Sequence, residues 1–323
     1  MNKMIIGIDV GGTTVKIGLL SKDGEIIKKW EIPTDTSNYG LSIVDDIWKS
    51  IKTELEESKI KKDNIMGIGM GAPGFIDGET GYVYEAVNIG WKEYGLSKEL
   101  KARSGLPVFV GNDANIAVLG ENWRGAGKNV RNLIAITLGT GVGGGIIANG
   151  DILDGENGMA GEIGHITIDP GGYRCNCGRN GCLETIASAT GIVRQAMDII
   201  ERDQESMLAE HFQETGSITA KDIFDLAKEG DLVSENIIKY TTDILGLVIA
   251  NMGVSINPSK VLIGGGVSKA GDQLLLAIQQ AFGKYAIPRV KEICEIRLAQ
   301  LGNDAGIIGG AFLVRQKIES ITF

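Results

Sequence analysis

The chain has 323 residues, long for one compact core and sufficient for two lobes with a cleft between them. Thirty-two Lys and Arg against 41 Asp and Glu leave a net charge of −9, which repels nucleic-acid phosphates on average and argues against a nucleic-acid partner. With 43% apolar and 23% charged residues the chain is neither disordered nor a coiled coil, and its 47 glycines, about twice the usual share, point to tight turns and close backbone approaches.

Met1 to Asp9 carries one lysine and a short apolar run without a signal-type cleavage region, so a cytoplasmic location is expected. The longest uncharged stretch, Asn132 to Gly150, holds six glycines and reads as two strands around a turn, so no membrane partner is expected.

Met4 to Leu20 reads as a strand, a Gly11-Gly12-Thr13-Thr14 turn and a second strand. A third strand is expected at Glu25 to Glu31. Ser42 to Glu57 then places Ile43, Val44, Ile47, Trp48, Ile51 and Leu55 on one helical face. Ile65 to Met70 and Pro107 to Val110 are expected strands, and Ala114 to Trp123 a helix with Asp113 placed to cap it. The pattern restarts at Leu133 to Asn149, again strand, glycine and threonine turn, strand, so the chain reads as duplicated βββαβα units. Thr241 to Gly253 reads as a buried helix, Val261 to Gly266 as a strand ending in glycines, and Asp272 to Phe282 as a helix. Asp304 is placed to cap a last helix, Ala305 to Lys317.

Asp9-Val-Gly-Gly-Thr-Thr14 puts a carboxylate at a strand end followed by backbone amides and hydroxyls, which suits a polyphosphate with a divalent cation. Leu138-Gly-Thr-Gly-Val-Gly-Gly-Gly145 offers a similar tip in the repeat, so two hairpins could grip one polyphosphate. Neither the G-x-x-x-x-G-K-[ST] phosphate loop nor a strand-linked G-x-G-x-x-G with a downstream acid is present. The two hairpins and the late Gly-Gly-Gly strand end resemble the superfamily of sugar kinases, actin and heat-shock ATPases. The resemblance implies a two-lobed actin-like ATPase (ribonuclease H-like) α/β fold. It also implies ATP held by Asp9, Gly11, Gly12, Thr13, Thr14, Lys16, Thr140, Gly141, Gly143, Gly265 and Gly266, with Mg2+ at Asp9.

Asn112-Asp113 is the candidate for catalysis, since a phosphoryl acceptor must be aligned and must lose its proton to a carboxylate. As a helix cap, Asp113 would be a weak base, which suffices where proton transfer comes late in a loose transition state. His165, Cys175, Cys177 and Cys182 follow a His-x9-Cys-x-Cys-x4-Cys spacing. One imidazole and three thiolates suit a closed, structural tetrahedral zinc, so a zinc-binding loop is expected.

Together, Asp9 to Thr14, Asn112-Asp113, Gly161-Glu-Ile-Gly-His165 and Cys175-Asn-Cys-Gly-Arg-Asn-Gly-Cys-Leu-Glu184 are similar to the ROK family (repressors, open reading frames and kinases), along essentially the whole chain. The likeness is greatest to its ATP-dependent kinases of glucose. It implies transfer of the ATP γ-phosphate to the 6-hydroxyl of a hexose, glucose by preference. Glu162, His165 and Glu184 would bond sugar hydroxyls near carbons 1 and 2, Asn112 and Asp113 the far side, with Gly74 and Asn88 lining the sugar and Asp113 taking the 6-hydroxyl proton. His165 would serve zinc with one ring nitrogen and sugar with the other.

A first, smaller lobe of residues 1–120 joined by a C-terminal helix at about 305–323 is expected, with a larger lobe of 121–304 carrying the zinc loop and a helical insertion. The family resemblance favours a homodimer. The alternatives are an N-acetylmannosamine or N-acetylglucosamine kinase, or a sugar-sensing regulator, which needs a DNA-binding head that a strand starting at Met4 leaves no room for. A cytoskeletal or chaperone ATPase of the same fold would not account for the zinc loop. Trp91 reads equally as a packing residue or a site residue. Cys294 reads as a small buried hydrophobe in a strand, His211 as exposed, and Glu201 to Glu229 as a solvated helical face.

Overall fold

The computed structural model describes residues 3–202 and 205–321. Its contacts divide the chain into two units of near-equal length. The first comprises Met1–Asn129, Ile152–Ala160 and Leu301–Phe323, the second Val130–Asp151 and Gly161–Gln300.

The first unit opens with strands β1 (Met4–Val10), β2 (Thr14–Ser21) and β3 (Ile26–Pro33), helix α1 (Ile43–Glu57) and strand β4 (Ile65–Ala72). Strands β5 (Phe75–Asp77), β6 (Tyr82–Ala86) and β7 (Trp91–Tyr94) form a small separate antiparallel sheet. Helix α2 (Leu96–Ser104), strand β8 (Val108–Asn112) and helix α3 (Asp113–Arg124) complete the run. The main sheet has the order β3-β2-β1-β4-β8, with β1 antiparallel to β2 and parallel to β4.

The second unit contains β9 (Leu133–Leu138), β10 (Val142–Ala148) and the two-residue β11 (Asp151–Ile152), followed by α4 (Glu184–Ala187), α5 (Ala189–Ile200), α6 (Met207–Thr215), α7 (Ala220–Lys228) and α8 (Leu232–Ile256). It closes with β12 (Lys260–Gly264), α9 (Asp272–Tyr285), α10 (Pro288–Ile293) and β13 (Glu295–Leu298), and α11 (Ala305–Ile321) returns to the first unit. Its sheet runs β11-β10-β9-β12-β13, with β9 antiparallel to β10 and parallel to β12, so the duplication seen in the sequence is a repeated sheet topology.

β1 sits inside its sheet and is apolar on both faces, as a central strand must be. Its alternation sorts the two faces. Ile6, Ile8 and Val10 enter the cluster formed with Ile43, Val44, Ile47 and Ile51 of α1, whereas Ile5 packs with Ile307, Ile308 and Trp123. The odd face, Ile5, Gly7 and Asp9, therefore lies under α11. A Cβ on Gly7 would stand 1.8 Å from the carbonyl oxygen of Ile307, so the helix approaches the strand backbone to backbone. On β4, Gly69 meets Gly310 in the same way.

Sequence reasoning passed over β5–β7 and α2, whose strands are short and interrupted by turn residues. Their apolar positions Ile76, Val83, Ala86 and Trp91 are nevertheless fully drawn into the core. Trp91 is a packing residue: it is 2% exposed, stacks on Tyr94 and donates its indole N–H to the carbonyl of Gly40 at 3.0 Å.

In the second unit the expected buried helix is the middle of the 25-residue α8. This helix is long and apolar enough to cross a membrane, yet more than half of its apolar window is buried, and it packs on α9. His211 differs from expectation. It is half-buried, with Nε2 3.9 Å from Asp222, because Asp222 is held in a reciprocal cap with Thr219 at the start of α7. The charge-rich stretch also buries Leu208, Ala209, Ile223 and Phe224, so α6 and α7 are amphipathic and only their outer faces are solvated. Cys294 is buried but ends α10, just ahead of β13.

Candidate active site

The first glycine turn closes with the Gly11 N–H donating to Thr14 O at 3.0 Å, and Thr34 holds it from outside by donating its hydroxyl to Gly11 O at 2.7 Å. Gly12 and Thr13 are exposed at the tip. Asp9 pairs with Lys16 across β1 and β2, and their charged groups stand 3.9 Å apart. Burial holds the Asp9 carboxyl above the usual carboxylate range, and the Lys16 charge only partly offsets this. The cause is α11. A Cβ on Gly306 would stand 2.6 Å from Asp9 Cγ, so the first turn of the helix lies directly against the carboxylate. Gly306 was not picked out from the sequence, although the Gly306-Ile-Ile-Gly-Gly310 pattern of small residues marks a close helix contact.

The second turn closes in the same style, Gly139 N–H to Gly141 O at 2.9 Å, with Thr140 exposed at its tip. Two residues of the α5 start brace it: Ala189 N–H donates to Gly139 O and the Thr190 hydroxyl to Thr140 O, each at 2.8 Å. Ala189 also lines a cavity of about 380 Å³ with Thr219, Phe224, Lys228, Gly266 and Val267. Gly265, just ahead of it, has φ +84° and lies on the Leu138 backbone, so Gly265 and Gly266 bend the chain around the cavity wall. Of the expected nucleotide residues, Gly266 lines this cavity, Gly265 precedes it on the Leu138 backbone, and Thr140 and Gly141 stand in the turn that Ala189 and Thr190 brace. The cavity residues from α5 and α7 carry no short motif and were missed in the sequence.

Asn112, not Asp113, caps α3. Its carboxamide oxygen accepts from Ala114 N–H at 3.0 Å and Asn115 N–H at 3.2 Å, while its Nδ2 donates to the carbonyl of Gly74 at 3.2 Å. Asp113 is the first residue inside the helix and half-buried, its Oδ1 accepting from Ala114 N–H at 2.8 Å. The expected cap is therefore displaced by one residue, and the carboxylate is left at the positive end of the helix. Asn88 is exposed and lies beside the first turn, its Cβ 4.0 Å from where Gly12 would carry one. Asp304 directly precedes α11, and Lys29 Nζ donates to both its oxygens at 2.8 Å.

The ligating atoms of His165, Cys175, Cys177 and Cys182 all lie within 4.8 Å of one another. Cys177 and Cys182 sulfurs are 3.5 Å apart, and Cys175 Sγ is 3.6 Å from His165 Nδ1. A tetrahedral zinc sets such atoms about 3.5–3.8 Å apart, so the donor set and spacing fit that ion. A miniature hairpin builds the site, with Arg174 bridged to Asn180 and Cys175 N–H donating to Arg179 O at 2.8 Å. Burial pushes the Cys182 thiol up to about 12 and raises Cys175 as well, so a cation is what would hold both as thiolates. Cys177 is exposed, and the backbone N–H of Arg179 holds it down at about 6.

Around this cluster stand the sugar-side candidates of the second unit. His165 turns its other nitrogen, Nε2, toward Glu162 Oε2 at 3.9 Å, and Glu162 is exposed. Glu184 faces two ways. Its Oε2 accepts from Val142 N–H at 3.0 Å, while Oε1 lies 3.6 Å from Cys175 Sγ. A Cβ on Gly141 would fall 2.3 Å from Oε2, so that glycine makes room for the carboxylate.

The ROK family model matches residues 5–317. The chain belongs to the ROK family. A glucokinase of Halalkalibacterium halodurans is 51% identical over 321 residues, covering 99% of this chain and 97% of that one. A ROK glucokinase of Streptomyces griseus, solved in complex with glucose and AMPPNP, matches with a TM-score of 0.76 at 35% identity, covering 97% of this chain and 99% of that one. A ROK family transcriptional regulator, a homologue of the E. coli MLC protein, matches with a TM-score of 0.84 at 29% identity, covering 98% of this chain and 78% of the regulator. The fold is accordingly the actin-like ATPase fold of ROK sugar kinases, and the repeated five-stranded sheets are its two halves.

Proposed function

We propose that this ROK protein is a glucokinase, transferring the γ-phosphate of ATP to the 6-hydroxyl of glucose. The observation that carries this is the end-to-end similarity to a glucokinase, 51% over 99% of the chain. The geometry supports the same reading. Two amide-rich turns, each closed by a local backbone hydrogen bond, end the paired strands of the two units, and a carboxylate sits at the first turn of α3.

In this reading Gly11 to Thr14 and Thr140 to Gly143 would hold the phosphates, and Gly265 and Gly266 would border the nucleoside. Bound Mg2+ supplies charge neutralisation to the phosphates, and Asp9, with Lys16 beside it, is the residue that would hold the ion. Asp113 would receive the proton of the 6-hydroxyl. Asn112, pinned between the helix start and Gly74, would fix the direction of that carboxylate and offer polar atoms to the sugar. Glu162, His165 and Glu184 would satisfy the hydroxyls near carbons 1 and 2, and a sugar lacking those partners would leave buried polar groups unpaired. Zinc would be structural: four protein ligands leave no open position, and its contribution is to fix the His165 ring. The same reading includes a cytoplasmic homodimer, tested by sedimentation and fractionation.

The test is sugar-dependent ADP release from Mg-ATP with glucose, mannose, fructose, N-acetylglucosamine and N-acetylmannosamine. Glucose-selective turnover is expected. Preference for an acetylated amino sugar would replace the substrate, and no turnover with any sugar would overturn phosphotransfer.

A further inference from the structure

Glu121, the ninth of the twelve residues of α3, is 5% exposed, an unusual burial for a carboxylate. Neither the phosphate turns nor the sugar side uses it. Its two oxygens accept from different segments: Oε2 from Ala126 N–H at 3.2 Å and Oε1 from Leu301 N–H at 2.6 Å. Those segments are the first and last places where the chain passes between the units, after Asn129 and before Leu301. The backbone supports the same arrangement. Gly125 and Gly127 N–H both donate to Glu121 O, and Asn129 N–H donates to Asn122 O at 2.7 Å. Gly125 has no Cβ where one would stand 2.1 Å from Glu121 Oε2. At the opposite end of this 12-residue helix stands Asp113.

We propose that Glu121 is a positioning residue: a clasp that holds both passages to the C-terminal end of the helix whose N-terminal end carries Asp113. The catalytic half of this inference rests on the phosphotransfer reading. One carboxylate with two acceptors can take both amides at once, whereas an amide of the same shape offers one acceptor and turns an N–H toward the other donor. The clasp ties α3 to two of the four places where the chain passes between the units, so loosening it misplaces the base without removing a group that touches substrate.

The experiment uses the full chain and Glu121→Gln. Amide exchange is read over residues 125–129 and 300–304, and steady-state kinetics are read in parallel. Exchange is expected to quicken in both segments together. kcat for glucose, expressed per folded enzyme counted by stoichiometric binding of a non-hydrolysable ATP analogue, is expected to fall about tenfold with KM for glucose and ATP held within about twofold; counting folded enzyme separates this from mere loss of folded protein. Leu301→Pro, at a φ of −80° that proline accepts, removes the donor from the other side and should reproduce the kinetic change. Faster exchange in one segment alone, or in neither, overturns the clasp. Faster exchange in both with unchanged kcat overturns the positioning role. A wild-type protein that phosphorylates no sugar overturns the phosphotransfer reading and the catalytic half with it, while the exchange data still decide the clasp.

Discussion

The carboxylate of Glu184 accepts the N–H of Val142 at 3.0 Å while its other oxygen lies 3.6 Å from Cys175 Sγ, so one side chain joins the cysteine loop to the second glycine turn. Loss of this side chain should be felt by both substrates. Glu184→Ala is expected to raise KM for ATP as well as for glucose, each by about tenfold, the effect of leaving one or two buried polar partners unpaired. A response confined to glucose would mean that the bond to Val142 has no part in holding the turn.

Because Asn112 caps α3, the roles of the two adjacent residues are separable. Asp113→Asn should leave the thermal midpoint near wild type and ATP binding intact while kcat drops about 10²–10⁴-fold, the usual worth of a general base. Asn112→Ala should instead lose about 1 kcal/mol of stability with the cap, visible in denaturant unfolding. Near-normal turnover of Asp113→Asn would remove Asp113 from the mechanism.

Metal content decides the reading of the cysteine loop. Elemental analysis should find about one zinc per chain. Cys182→Ser, at a buried ligand, should lower both zinc content and the unfolding temperature. Chelation should likewise expose residues 165–184 to proteolysis before the rest of the chain. A metal-free protein of equal stability and activity would reject the site.

Asp9 gives a pH-dependent stability with a definite sign. Its carboxyl is raised above the ordinary value by burial, so the native state binds a proton more tightly than the unfolded chain. Stability linked to that proton is present below the ordinary carboxylate range and falls as pH rises through the elevated value. Asp9→Asn does not titrate. It should match wild type in acid, exceed it in stability at neutral pH, and lose kinase activity throughout. Chemical denaturation at several pH values reads the difference, and an Asp9→Asn variant less stable than wild type at pH 7 would contradict it.

What could be read from the chain alone follows the distance over which each feature is encoded. The zinc ligands fall within eighteen residues and each glycine turn within eight, so spacing exposed them. The short apolar run ahead of the first glycine turn likewise marked β1 as a strand. The cap of α3 was misplaced by one residue because Asn112 and Asp113 are both good caps, and only the direction of the Asn112 carboxamide toward Gly74 separates them. The contacts of Gly306 with Asp9 and of Glu121 with Leu301 join residues far apart in the chain, the latter 180 positions apart, and no local pattern announces them. The small sheet β5–β7 was passed over for the opposite reason: its strands are too short to show a period.

The position of α11 also sets an order of assembly. The face of β1 that ends in Asp9 is among the earliest parts of the chain to be synthesised, yet the helix that covers it comes from residues 305–321. Most of the second unit lies in one intervening stretch, 161–300. On the ribosome the second unit can therefore mature first, while Ile5, Gly7 and Asp9 wait uncovered for the last helix. During that interval the apolar face of the first sheet is a surface open to a chaperone.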